Sequence, residues 1–393
     1  MAGNTSMRIL LSFLQDQVSK PHPVPSYRFW QHYIKNGIEE AGMSYFEIPD
    51  VDWAEGLVYD EGSIALQNWK ERSWQATINY IKVNRQNIDI FLTYLYPKQI
   101  PTDAIEQIQK MGIPCVNFYC DNIREFKTIP AKFRIFDLIW VPEFEALEMY
   151  RKAGVKHINL PMPMWVEPEL RRSTIFQEKP GVSFIGSKDL LRENLLGQAI
   201  QKGLPLSVRG AGWLTQGGDP SAFVAGSVYQ KLINQVNFVK QQGLSGLAIK
   251  GVQQLNKLPH IPVSEDHIFP SPDFDEYISI TQCSMVTLGI NRVPTFKRTH
   301  HKPLTYSRLR DIEAPMLGAC YLTEYCEGID SLYDTDNEIN VYRTVDELVQ
   351  KATELLHDKE KRDKLRANGQ QRALSDHAIP SSLKKIRKAV FGR

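Results

Sequence analysis

The sequence predicts an α/β protein built from two Rossmann-like domains whose parallel sheets face a central cleft. Three observations predict it. The chain has 393 residues, more than one ordinary core holds and suited to two domains of roughly 170–200 residues each. Short apolar runs alternate with amphipathic stretches, and the rhythm restarts after a polar, proline-bounded stretch at 166–180. The apolar runs are continuous rather than alternating, as expected of strands covered by helices on both faces.

In chain order, MRILLSF (7–13) reads as a first strand rather than as part of a targeting leader. A polar loop containing PHPVP follows, then a helix over FWQHYIKNGIEEAG that Gly42 ends, and a short strand in YFEIP. Residues 66–86 form a helix with Trp69, Trp74 and Tyr80 as core anchors. IDIFLTYL (88–95), IPCVNFYCD (113–121) and DLIWVP (137–142) are strands; residues 103–112 and 144–154 are helices, and INLPMPM closes the set. These observations place an N-terminal domain at 1–168 and a linker at 169–180. The C-terminal domain, 181–376, opens with the strand GVSFIGS (181–187), the helix LLRENLLGQAIQKG and the strand in LPLSVRGAGW (204–213). Residues 214–265 have no assigned place, although FVAGSVYQKLINQVNFVKQQ has helical spacing. DFDEYISITQC is a helix and SMVTLGI (284–290) a strand. RLRDIEAPMLGACYLTE (308–324) gives a helix with Arg310 and Glu313, a turn at Gly318, and a strand over Ala319–Thr323. EINVYR, two helices at 345–357 and 359–372, and a last helical segment within 377–393 complete the chain.

Composition excludes several function classes. No run of about 18 apolar residues exists, so no helix spans a membrane. A net charge of +2 argues against a nucleic-acid partner. The five cysteines (115, 120, 283, 320, 326) lack metal-ligand or redox spacing and fit reduced thiols in the cytoplasm. Positive charge is nonetheless local. Lys297-Arg298-Thr299-His300-His301-Lys302 runs towards Arg308 and Arg310, while Lys384, Lys385, Arg387 and Lys388 mark the C-terminus. That second group reads either as a solvated helix face or as a peripheral membrane contact. Neither a Walker loop, a GxGxxG fingerprint, an HExxH nor a GxSxG occurs.

In doubly wound sheets ligands bind beyond the carboxyl ends of the strands. In the second half this rule selects Gly186-Ser187-Lys188 with Arg192, the turn at Gly210, the loop carrying Asn291 and Arg292, and the helix of Arg310 and Glu313. A glutamate near a helix start can accept a sugar diol's hydrogen bonds, and arginines with free amides suit a diphosphate. The bland alternatives are an i,i+3 surface pair for Arg310 and Glu313 and an ordinary turn with a solvent lysine at 186–188. In the first half His22, Tyr94, Asp121 and Glu143 stand at strand ends. Asp121 and His22 are the candidate general bases for a hydroxyl nucleophile, with a helix cap and a stiffened loop as the alternatives.

The segments VSFIGSKDLLREN, LSVRGAGW, SMVTLGINR, RLRDIEAPMLGACYLTEY and EINVYRTVDELVQKATELLHDKEKRDKLRANGQQRALSDHAI carry a resemblance over nearly all of 181–380. The chain resembles a GT-B glycosyltransferase of the CgeB-like (spore-maturation type) branch of the group 1 glycosyltransferases. FYCD and LPMPMWVEP extend the likeness, more loosely, into the first half. The resemblance implies a nucleotide donor on the C-terminal domain, an acceptor on the N-terminal one, and a last helix that crosses back. It also implies Glu313 on the donor ribose, Gly186 and Gly318 in the flanking turns, and Lys188 or Arg192 at the diphosphate. One departure stands out: relatives that retain anomeric configuration carry a second glutamate where this chain has Thr305. Retaining and inverting chemistry therefore both stay open. The expected activity is a metal-independent, Leloir-type (hexosyl) transfer from a nucleotide-diphosphate sugar, with no cofactor, to a small-molecule, lipid or polysaccharide acceptor. A nucleotide-sugar epimerase and a non-catalytic nucleotide-sugar-binding protein are the alternatives.

Overall fold

Both halves of the chain build parallel sheets, as their continuous apolar runs require. The computed structural model describes residues 6–12, 27–175, 177–214, 261–294 and 302–392. The chain divides into two units, Met1–Glu167 with Arg372–Arg393, and Pro168–Gln371.

In the first unit the strands are β1 (Arg8–Ser12), β2 (Ser44–Glu47), β3 (Ile90–Thr93), β4 (Cys115–Phe118), β5 (Leu138–Val141) and β6 (His157–Asn159). They lie in the order β2-β1-β3-β4-β5-β6, every pair parallel. The helices α1 (Tyr27–Glu40), α2 (Ile64–Asn84), α3 (Thr102–Lys110) and α4 (Leu147–Ala153) connect them. β3, β4 and β5 are buried along their whole length. Their polar members are paired: Thr93 Oγ1 and the Leu95 amide both donate to Asn117 Oδ1, at 2.7 and 2.8 Å, which fixes the path of the chain leaving β3. Ser63 caps α2 by accepting from the Leu66 amide. Trp69 and Trp74 bury their rings edge-on against Trp53, and their indole N–H groups donate to the carbonyls of Asp52 and Gln99, each at 3.0 Å. Tyr80, expected beside them in the core, is only half-buried.

The second unit holds β7 (Lys179–Ile185), α5 (Leu190–Gln201), β8 (Leu206–Arg209), α6 (Phe274–Cys283) and β9 (Ser284–Gly289). A two-stranded ribbon follows, β10 (Arg292–Val293) antiparallel to β11 (Leu304–Thr305). Then come α7 (Arg310–Met316), β12 (Tyr321–Glu324), β13 (Asn340–Tyr342), α8 (Val345–His357) and α9 (Lys359–Arg372). The main sheet runs β13-β12-β9-β7-β8, all parallel, and Ile268 adds a parallel bridge beside Val208. Residues 169–180, read from sequence as a linker, fall within this unit, and Lys179 and Pro180 already belong to β7. Glu178 receives the buried guanidinium groups of Arg362 and Arg366 from α9, and Arg362 holds its carboxyl below the usual carboxylate range. The last helix, α10 (Ile379–Phe391), belongs to the first unit, where it packs on α1, and Ala378 just before it bridges Met164. His22, the basic loop Lys297–His301 and the helical stretch at 223–242 lie outside the described residues.

Candidate functional site

The order of the second sheet reverses between β7 and β9, so its switch point opens between the turns that follow these two strands. Gly186 continues β7. Its N–H donates to Arg209 O at 2.9 Å, and its carbonyl accepts from the Trp213 indole at 2.7 Å. Gly210, with φ +125°, brings its backbone against this turn, and a Cβ on it would lie 2.4 Å from the Gly186 carbonyl oxygen. Only glycine allows both that φ and that approach. The Lys188 amide then donates to Ala211 O at 2.9 Å, so the two glycine turns form one ledge.

Cations gather around that ledge. Asp189 caps α5 by accepting from the amides of Leu191 and Arg192. Arg192 Nη1 donates to the Ser187 carbonyl and hydroxyl at 2.9 and 3.0 Å. Burial lowers the pKa of Arg192, and the neighbouring charges of Arg308 and Arg310 lower it further against the pull of Asp189. Arg192 thus lies within electrostatic reach of Arg310, at the start of the helix Arg310–Met316, and of Arg308 just before it. Lys188, expected in the same role, is committed elsewhere: its ammonium pairs with Glu193 at 2.9 Å and lies 5.7 Å from the centre of the Trp213 ring.

Arg310 opens α7, and its guanidinium lies 4.9 Å from the centre of the Tyr277 ring. Its Nη1 is buried without an acceptor among the described residues. One turn on, Glu313 is partly exposed, and its Oε2 accepts from the Tyr277 hydroxyl. The sequence also suggests free amides at this helix start, and here the structure corrects it. The amides of Asp311, Ile312 and Glu313 already donate to the carbonyls of Arg308 and Leu309. Side chains, not helix amides, therefore carry the positive potential. The buried Asp311 shapes the turn by accepting from the Arg308 amide and from the hydroxyls of Tyr321 and Thr323, each at 2.9 Å.

Two further candidates are structural in their contacts. Asn291, 1% exposed, donates its side-chain amide to Glu324 O at 2.8 Å. Arg292 places Nε and Nη2 on Glu324 Oε1 at 2.9 and 2.5 Å, while the amides of both residues reach Oε2. Burial opposes the Arg292 charge, and Glu324 outweighs it, so its pKa is raised. Gly318 lies at the opposite end of α7 from Arg310. A Cβ there would stand 2.1 Å from the Arg172 carbonyl oxygen, so this glycine admits the chain at 172 rather than a ligand. Sequence reasoning missed Tyr277, Asp311 and Glu324. Glu324 had a readable signal, a carboxylate at the carboxyl end of a buried strand.

In the first unit Asp121 ends the run after β4, ahead of one helical turn, Asn122–Glu125. Burial raises the pKa values of Tyr96, Tyr119 and Cys120, and the Asp121 charge adds to each shift. Glu143, at the end of β5, is fully buried and accepts from the Asn122 amide at 2.8 Å, its side chain at 2.6 Å and the Ile123 amide at 3.3 Å. Burial pushes its pKa up to about 8 despite those bonds, and the Asp121 charge adds to the shift. Tyr94 is buried and hydrogen-bonded to Tyr96 and Cys120.

Residues 192–387 match a family model described as glycosyl transferase-like. The likeness covers this segment, just under half of the chain. A search of curated protein sequences finds no match. Among solved structures, a glycosyltransferase from Rickettsia africae aligns over 98% of this chain and 99% of its own, with TM-score 0.55 and 11% identity. Sucrose-phosphate synthase from Thermosynechococcus elongatus covers the same shares at TM-score 0.54 and 11% identity. Anabaena HepE, solved with UDP-glucose, aligns over 98% of this chain and all of its own, at TM-score 0.54 and 10% identity. At such identities the likeness is one of fold, the two-domain GT-B arrangement of glycosyltransferases. The matched segment begins at Arg192 and contains Arg308, Arg310 and Glu313.

Proposed function

We propose that this chain is a metal-independent, Leloir-type glycosyltransferase of the CgeB-like branch, acting in the cytoplasm on a nucleotide-diphosphate hexose. The observation that carries this reading is the convergence of Arg192, Arg308 and Arg310 beside Glu313 at the switch point of the second sheet. Glu313, held by Tyr277, accepts hydrogen bonds from the ribose diol. The arginines meet the diphosphate, and the buried Arg310 Nη1 gains the acceptor that the described residues do not give it. As the glycosidic bond breaks, negative charge grows on the leaving diphosphate, and preorganised guanidinium groups stabilise that charge more than the ground state. Gly186 and Gly210 keep Cβ atoms away from the ledge on which the phosphates rest. The known sugar-nucleotide complex of HepE supports the substrate class, because that protein shares the fold.

The acceptor hydroxyl loses a proton as it attacks. Asp121 is the proposed base in the first unit, with His22 as its competitor, and the adjacent neutral Glu143 keeps a second negative charge away from Asp121. The acceptor is a small molecule, a lipid or a polysaccharide. No helix among the described residues is long and apolar enough to cross a membrane, so a lipid acceptor would be met peripherally.

The test is a panel of UDP-, GDP- and dTDP-sugars, following nucleoside diphosphate release and thermal stabilisation together. Stabilisation with release, accelerated by an acceptor, is the expected result. Stabilisation without release under any acceptor supports a binding protein instead, and no response to any nucleotide sugar removes the donor assignment.

A further inference from the structure

We propose that a cavity of about 380 Å3 beside the first turns of α5 holds a monosaccharide ring bearing a carboxylate, with Asn194 and Gln198 on its hydroxyls and Arg343 on its acid group. Asn194 carries the argument. It lines this cavity from the interior of α5, is 4% exposed, and its Oδ1 has no hydrogen-bond partner among the described residues. A buried carbonyl oxygen left unpaired is costly, and a sugar hydroxyl can donate to it. Gln198, one helical turn further on, offers a second amide to the same space.

Charge then selects the ring. Arg292 and Glu324 line the cavity as a closed ion pair whose charges cancel. Arg343 is exposed, its guanidinium lies 3.3 Å from the centre of the Tyr325 ring, and no carboxylate pairs with it among the described residues. Among the described lining residues one positive charge is therefore uncompensated, and it stacks on Tyr325. Thr305 contributes a neutral hydroxyl to the same lining. The cavity adjoins the arginine cradle: Leu191 precedes Arg192, and Asp189 acts electrostatically on both Arg192 and Arg292. Its volume suits a single ring.

The inference rests on the donor-site reading only for the source of the ring, which is either the donor's own sugar or the terminal unit of an acceptor. The experiment titrates the full chain with free D-glucuronate and D-glucose, and with UDP-glucuronate and UDP-glucose, by calorimetry and ligand-observed NMR. Glucuronate is expected to bind at least several-fold more tightly than glucose. Arg343→Gln should remove that preference and Asn194→Ala should weaken glucuronate about tenfold, both with unchanged UDP affinity. A preference seen with the UDP-linked pair assigns the ring to the donor, and one confined to the free sugars assigns it to the acceptor. Equal binding of glucuronate and glucose, no binding of either in any form, or a preference that survives Arg343→Gln overturns the proposal. If UDP binds while the sugars fail this test, the donor site stands and the acidic subsite falls.

Discussion

Glu143 shows how much one buried carboxyl group says about its surroundings. Three N–H groups favour its charged form, yet burial and the charge of Asp121 win and hold its pKa near 8. In the unfolded chain the same group titrates near 4.5. Between those values the unfolded state binds fewer protons than the folded one, so stability falls as pH rises from about 4.5 to about 8. The largest slope one proton can give is about 1.4 kcal/mol per pH unit. Urea unfolding at intervals across that window should show this component in the native protein and its absence in Glu143→Gln; parallel slopes in the two would contradict the assignment. The sequence named Glu143 and Asp121 as strand-end residues, but their division of roles depends on depth and on Asn122, which no spacing rule conveys. In the same way Lys188 and Arg192 read alike in sequence, and only Glu193 and Trp213, which hold the lysine, separate them.

At the scale of elements, continuous apolar runs made the strands readable because parallel strands covered on both faces have no polar face to interrupt them. SMVTLGI, IDIFLTYL and DLIWVP appear as β9, β3 and β5 with ends trimmed by a few residues. The ribbon β10–β11 escaped, because each strand contributes two residues and shows no period. Its attachment is the Arg292–Glu324 pair, in which the carboxylate is 4% exposed. Removing the acid leaves a buried guanidinium without its partner, so Glu324→Ala should destabilise the protein by about 3–5 kcal/mol. Denaturant unfolding measures this, and a loss below about 1 kcal/mol, the range of a surface pair, would contradict it. The helix carrying Arg310 and Glu313 was legible from its composition. The loss of its free amides to Arg308 and Leu309 was not, since it depends on the turn that Asp311 shapes.

On the scale of the whole molecule, two parallel sheets each reverse order once, and the turns after β7 and β9 flank the reversal of the second. Chain length and repeated rhythm made the two-sheet architecture legible. The packing of Gly318 against the chain at 172 and of Asn291 against Glu324 was not legible, because a glycine that admits a neighbouring chain and one that admits a phosphate look the same in sequence. The central claim is that the second unit binds a nucleoside diphosphate between Glu313 and the three arginines. Calorimetric titration of UDP, GDP and dTDP into the native protein and into Glu313→Ala and Arg310→Ala tests it most directly. The account predicts binding of at least one nucleotide, weakened by about 1–3 kcal/mol in each variant with the fold intact by circular dichroism. A nucleotide that binds all three proteins with the same affinity would contradict it.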